Sequence, residues 1–178
     1  MNCLGRALAQ ASLAAAVSFG AVAAHSQTYP ARNITMIVPF AAGGPTDVIA
    51  RIVTGHMQQT LGQSIIIENV VGAGGTTASA RAAKASPDGY TLITGHMGTH
   101  AASVPLYPKL AYHPSKDFEP VGLVASLPQI LVSGPQFPAN TVAEMTALAK
   151  AKPGTISFAS VGNGSPGHLA GELQAIRT

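Results

Sequence analysis

ITMIVPFAAGGPTD, residues 34–47, runs an apolar strand into a glycine pair and then a proline, and that order decides the fold. Ile34–Val38 has the apolar content of a strand, and Gly43 and Gly44 allow a tight turn. Pro45 is tolerated in the first turn of a helix, so it marks where one begins. The first N–H groups of a helix have no acceptor within it, so this junction is an anion socket made of backbone. Residues 155–161 form a second strand pattern that runs into GNGSPGH, residues 162–168, ahead of another helix. Two such sockets suit a ligand with more than one carboxylate, or one anion held from two sides.

Working outward, strand and helix alternate. A strand is expected over residues 33–38 and a helix over 46–61, with Val48, Ile49, Ile52, Val53, Met57 and Leu61 near one face and Gly62 as its stop. A strand at 64–70, the run Gly72-Ala73-Gly74-Gly75, a small-residue helix to Ala85 and a strand at 90–94 complete a β-α-β-α-β unit. Right-handed crossovers would make its sheet parallel. Residues 95–120 are rich in Pro and His and read as an irregular crossing segment. Strands are expected at 121–125, 130–132 and 155–161, with a capping box at Thr141 and Glu144 opening a helix that ends before Pro153. The chain closes inside a further helix, 166–178, whose Leu169, Leu173 and Ile176 have nothing left to cover them. It therefore reads as the front part of a longer protein.

Composition narrows the function. Of the 178 residues 47% are hydrophobic and only 10% charged, and the cations behind the net charge of +3 are scattered. Nucleic-acid surfaces cluster their cations along one face, so that class is set aside. Residues 1–26 carry Arg6, an Ala-rich apolar stretch and the A-x-A site Ala21-Val22-Ala23, which together mark a signal peptide. Cleavage after Ser26 is the alternative, and the apolar stretch falls short of the about 20 residues a membrane span needs. Cys3 is the sole cysteine, so the exported chain has neither disulfide nor lipid anchor.

Beyond the signal peptide, the chain resembles the Bug-type periplasmic substrate-binding proteins of tripartite tricarboxylate transporters. The segments that carry the likeness are IVPFAAGGPTD (37–47), LGQSIIIENVVGAGG (61–75), SPDGYTLITG (86–95), KDFEPVGLVA (116–125) and FASVGNGSPGHLAGEL (158–173). Two details depart from the family pattern: His96-Met97-Gly98-Thr99-His100 stands where small hydroxyl residues are usual, and Val70-Val71 where Arg-Pro is common. The resemblance implies a two-lobed α/β fold of the periplasmic-binding-protein, or Venus flytrap, kind. Residues 27–103 would form the first lobe, nearly βαβαβ, and residues 104–178 an incomplete second one. It also implies a monomer that hands a small carboxylate to membrane transport subunits, with no cofactor, no metal and no chemistry of its own.

The candidate ligand-binding residues follow from the loops. In the first socket they are Ala42, Gly43, Gly44 and Thr46, through main-chain N–H groups and the Thr46 hydroxyl, and Gly44→Val is expected to strain the turn. Asp47 has two readings: a complement to the helix dipole, or a contact to a ligand hydroxyl, amino group or bridging water. In the second socket they are Gly162, Asn163, Gly164 and Ser165, with Ser165 equally suited to cap its helix and His168 either donating or packing. Thr99 is preferred in the loop after the third strand, where open α/β sheets place ligand contacts. His96 and His100 have metal-ligand spacing only if helical, and Gly98 lies between them. Gly72-Ala73-Gly74-Gly75 fails the dinucleotide fingerprint, because Thr77 occupies the third glycine position. A periplasmic serine hydrolase using Ser165 is the competing class, but Asn163 breaks the G-x-S-x-G pattern. A non-functional fragment of a binding protein is a third reading.

Overall fold

The computed structural model describes residues 28–177; the expected signal peptide at residues 1–26 and the terminal Thr178 lie outside the described residues. Two contact units divide the chain, Met1–Ala31 and Arg32–Thr178. Residues 28–31 of the first are irregular, and among the described residues every regular element belongs to the second.

Three strands, β1 (Ile34–Val38), β2 (Ile65–Asn69) and β3 (Thr91–Ile93), form a parallel sheet in the order β2-β1-β3. Ile34 pairs with Ile65 and Val38 with Asn69 on one side of β1, and Thr35 pairs with Thr91 and Ile37 with Ile93 on the other. The ladder is extended at its ends, where Ile34 N–H donates to Ser64 O, Val70 N–H to Val38 O, and Thr94 N–H to Ile37 O, at 2.9–3.0 Å. Central β1 is apolar on both faces, as a parallel strand covered on both sides must be. Ile34, Ile37 and Val38 are within 1% of complete burial, and each such side chain contributes about 1.5–3 kcal/mol.

Helix α1 (Pro45–Leu61) has proline in its first turn and ends at Gly62, whose φ of 65° and N–H to Gln58 O, 3.0 Å, close its last turn. Its rotation differs from the expected one. The residues it buries are Asp47, Ala50 and Thr54, while Val48 and Ile52 are 45% and 59% exposed. Met57 and Leu61 continue the buried stripe against the core of Ile34, Met36, Val38, Ala50 and Ile65. Small residues at Ala50 and Thr54 let the helix axis approach the sheet. The hydrogen bonds of Asp47, described below, tie its first turn at that rotation.

Helix α2 (Thr76–Ala83) follows a one-turn helix at Ala73–Gly75 and buries Ala78 and Ser79 completely. The crossing segment is partly helical rather than irregular: a wide turn at Gly98–Ala102 runs into α3 (Ser103–Leu106). Pro105 is the third residue of α3, which continues directly from that turn.

The second half lacks the expected strands. Segments 121–125, 130–132 and 155–161 are irregular, and Val121, Leu123, Ile130, Val132 and Val161 are 71–88% exposed. A strand forms only when a neighbour pairs its N–H and C=O groups, and none of the described residues does so here. Helix α4 (Val142–Ala151) does open on the expected capping box. Thr141 Oγ1 accepts from Glu144 N–H at 3.2 Å, and Glu144 Oε2 accepts from Asn140 N–H at 2.7 Å, one residue earlier than the simplest box. Helix α5 (Pro166–Arg177) meets α4 where Gln174 Nε2 donates to Thr146 Oγ1, 3.0 Å, and leaves Ile176 81% exposed.

Candidate functional site

Because the three strands are parallel, the loops that leave their carboxyl ends share one edge of the sheet. These are the segments 39–44 after β1, 70–75 after β2 and 94–97 after β3. The first and third meet where Phe40 stacks on His96, ring centroids 4.8 Å apart. The second is wedged against both. Gly75 has φ 92°, and a β-carbon there would lie 2.6 Å from Thr99 Cγ2 and 3.0 Å from Pro39 Cβ. The loop 162–165 docks on the same edge. Tyr107 Oη donates to Asn163 O at 3.3 Å, Gly74 lies directly against Asn163 O, and Gly98 against Gly164 O. Four glycine loops thus gather at one place, the two expected sockets among them.

The first loop is held by a polar network on Asp47, which is only 1% exposed. Its Oδ2 accepts from Gly43 N–H and from Arg51 Nε, both 2.8 Å, and its Oδ1 accepts from Asn69 Nδ2 at 2.9 Å. The Arg51 bond, then the Gly43 and Asn69 bonds, hold the Asp47 carboxyl well below the usual carboxylate range, and Asp47 in turn raises Arg51. Asp47 is therefore ionised and paired with a cation of its own helix. Its oxygens face the chain's own donors, a third arrangement beside the dipole and ligand-contact readings. Gly43 N–H belongs to Asp47, and Gly44 N–H bonds Ala41 O at 3.3 Å. Val48 N–H makes the first helical bond, to Gly44 O at 2.9 Å. Among the described residues the main-chain N–H groups of Ala42 and Thr46 are left without an acceptor. The strain expected at Gly44 falls instead on its neighbour: Gly44 has φ −73°, open to any residue, whereas Gly43 has φ 81°.

In the third loop Thr99 is fully buried. Its hydroxyl donates to His96 O and accepts from His96 N–H, both 3.1 Å, and lies 2.8 Å from His100 Nδ1. Thr99 thus braces the turn from beneath. His96 Nδ1 accepts from Gly98 N–H at 2.8 Å, so that nitrogen carries no proton, and burial followed by the charge of His100 lowers its pKa. Burial likewise lowers His100, which packs edge-on against Phe118 at 4.8 Å and tilted against Tyr112 at 6.2 Å. Both Nδ1 atoms are engaged within the turn. Among the described residues no group of three or more His, Cys, Asp or Glu converges as a metal site would require.

In the fourth loop Ser165 is fully buried and its Oγ accepts from His168 N–H at 3.3 Å, as a helix cap does. Gly164 N–H reaches His168 Nδ1 at 3.4 Å, Gly162 N–H reaches Ser160 Oγ at 3.3 Å, and Ser165 N–H bonds Gly162 O at 3.1 Å. Asn163 N–H, among the described residues, has no acceptor. His168 is tilted against Phe158 at 6.3 Å, with Glu172 3.7 Å from its Nε2. Among the described residues no histidine ring hydrogen-bonds Ser165 Oγ, which a serine nucleophile needs.

Sequence reasoning passed over Asn69, Arg51, Phe40, Gly74, Gly75 and Tyr107. Gly74 and Gly75 had a signal, a glycine run directly after a strand and within the resembling segment 61–75. Asn69, a polar residue ending an otherwise apolar strand, had another.

Comparison with known proteins places these loops in context. The sequence model of the family described as "Tripartite tricarboxylate transporter family receptor" matches residues 49–177. BugT of Bordetella pertussis is 39% identical over 176 residues, 98% of this chain and 52% of BugT. MatC from Rhodopseudomonas palustris, solved with bound malate, is 53% identical over 69% of this chain and 42% of its own, with a TM-score of 0.66. A second R. palustris protein, solved with adipate, is 36% identical over 82% of this chain and 48% of its own, with a TM-score of 0.78. The fold is that of periplasmic binding proteins. The chain spans about half the length of the curated relatives it matches.

Proposed function

The chain belongs to the tripartite tricarboxylate transporter receptor family, and from that premise we propose that it is the ligand-capturing part of a periplasmic solute-binding protein for a small dicarboxylate. The observation that carries this reading is the gathering of four glycine loops at one sheet edge, three of them leading into the α-helices α1, α2 and α5. Malate and adipate, held by the two R. palustris relatives, are both dicarboxylates and favour that class over tricarboxylates.

The physical picture is an anion held by dipoles rather than by a cation. Arg51 already faces Asp47, so the donors offered to a carboxylate are main-chain N–H groups such as those of Ala42, Thr46 and Asn163, with the Thr46 hydroxyl beside them. Helix N-termini favour negative charge, and a dry site strengthens each bond. In this reading a hinged second lobe closes over the acid, and membrane transport subunits receive it. No bond is made or broken. The signal peptide at residues 1–26 supports export to the periplasm, and the protein acts as a monomer.

A thermal-shift screen of the purified protein with malate, succinate, adipate and citrate tests the reading. A bound acid at 100 times its dissociation constant stabilises the fold by about 2.7 kcal/mol and is recovered unchanged afterwards. No shift with any of the four acids, or an ester hydrolysed in a Ser165-dependent way, rejects it.

A further inference from the structure

Resting on the reading of the four loops as the acid-binding site, we infer that Asn69, at the end of β2, is the positioning residue of the first ligand loop. Asn69 pairs in register with Val38, the last residue of β1, and so stands beside the point where the chain leaves the sheet. Its amide nitrogen donates to Phe40 O at 3.0 Å and to Asp47 Oδ1 at 2.9 Å, and its Oδ1 accepts from Arg51 Nη2 at 3.3 Å. One side chain therefore bonds the start of the loop, the first turn of α1 and the cation that neutralises it.

The loop needs such a clamp. Ala41, Ala42 and Gly43 are exposed, and the segment's own bonds are Gly44 N–H to Ala41 O and Gly43 N–H to Asp47. A glycine-containing turn with so few restraints samples many conformations, and ordering it on binding costs affinity. Asn69 removes that cost in advance by tying Phe40 O and Asp47 to the rigid strand, which sets where the Ala42 and Thr46 N–H groups lie. The chemistry is specific to a carboxamide. Two N–H donors and one acceptor are all used, and a carboxylate in their place would set a negative charge against Asp47.

The test measures malate affinity by calorimetry in wild type, Asn69→Ala and Asn69→Asp between pH 7.5 and 5.5, with melting curves as a check on folding. Asn69→Ala is expected to bind malate at least about tenfold more weakly at every pH. Asn69→Asp is expected to match that loss at pH 7.5, where its carboxylate cannot donate to Phe40 O or Asp47 Oδ1. Asn69→Ser keeps one donor and serves if Asn69→Asp does not fold, with affinity between those of Ala and wild type. Wild-type affinity in Asn69→Ala or Asn69→Ser, or in Asn69→Asp at pH 7.5, overturns the assignment. Failure of the wild type itself to bind any acid of the panel removes the carboxylate reading, and this inference with it.

Discussion

Replacing Gly75 by alanine tests the convergence of the loops most directly. Gly75 has φ 92°, where an L-residue is strained, and the added β-carbon would stand 2.6 Å from Thr99 Cγ2, 3.0 Å from Pro39 Cβ and 3.3 Å from the Phe40 ring. Thr99 cannot swing aside cheaply, because its hydroxyl is engaged by His96 and His100 and the residue is fully buried. Left-handed strain of about 1–2 kcal/mol and overpacking of about 1–3 kcal/mol sum to about 2–5 kcal/mol. For a chain of this size that is a fall in melting temperature of about 4–20 °C. Two neighbours serve as internal controls. Gly43→Ala meets nothing within 4 Å but has φ 81°, so about 1 kcal/mol of strain remains. Gly44→Ala, with φ −73° and one contact of 3.3 Å to Ala41 O, falls within about 0.5 kcal/mol of wild type. Urea unfolding of the three variants gives the order directly. A Gly44→Ala as costly as Gly75→Ala, or a harmless Gly75→Ala, refutes the packing of the second loop against the first and third.

Three other outcomes are expected. The His96 and His100 rings are held below the ordinary value of 6.5, so the unfolded chain binds more protons there and stability falls as pH drops through and below 6.5. In His96→Asn, which keeps an acceptor for Gly98 N–H and has no such titration, melting temperature should depend less steeply on pH between 7.5 and 5. A slope equal to wild type removes His96 as its source. Ser165→Ala should cost about 1 kcal/mol through the lost cap of α5, read by thermal melting. A loss of enzymatic turnover in that variant would favour the hydrolase class instead. Ala50→Leu should cost about 1–3 kcal/mol by forcing α1 off the sheet, while Ile52→Ala stays within about 0.5 kcal/mol. The reverse order would restore the helix rotation expected from hydrophobic periodicity.

Under the proposed reading, holding an acid without a cation would set the selectivity among anions. Main-chain N–H groups at a helix start offer directed hydrogen bonds but little net charge, so shape and oxygen placement decide what fits. The neutralised Asp47 is a condition for this. An unpaired carboxylate in the first turn of α1 would repel the ligand that its helix attracts.

By itself the sequence determined the βαβαβ order, the parallel sheet and the first strand-to-helix junction, because each rests on local signals. Apolar runs, a proline that can only start a helix, Gly62 at a left-handed stop and the Thr141 cap act within a few residues and need no distant partner. Residues 121–125, 130–132 and 155–161 show the limit of such signals, since an apolar segment becomes a strand only when another strand pairs with it. Tertiary structure decided the rotation of α1, where Ala50 and Thr54 outrank larger side chains because closeness to the sheet matters more than hydrophobicity summed along one face. It also decided the fate of individual polar groups. Asp47, Thr99 and Ser165 were candidate ligand contacts, with a helix-dipole reading equally open for Asp47 and a capping one for Ser165, and in the fold each is buried and bonded by neighbours, Asn69 and Arg51 for Asp47, His96 and His100 for Thr99, and His168 for Ser165. A hydrogen bond depends on distances of a few ångströms between groups that can lie 56 residues apart in the chain, and only the folded backbone sets those distances.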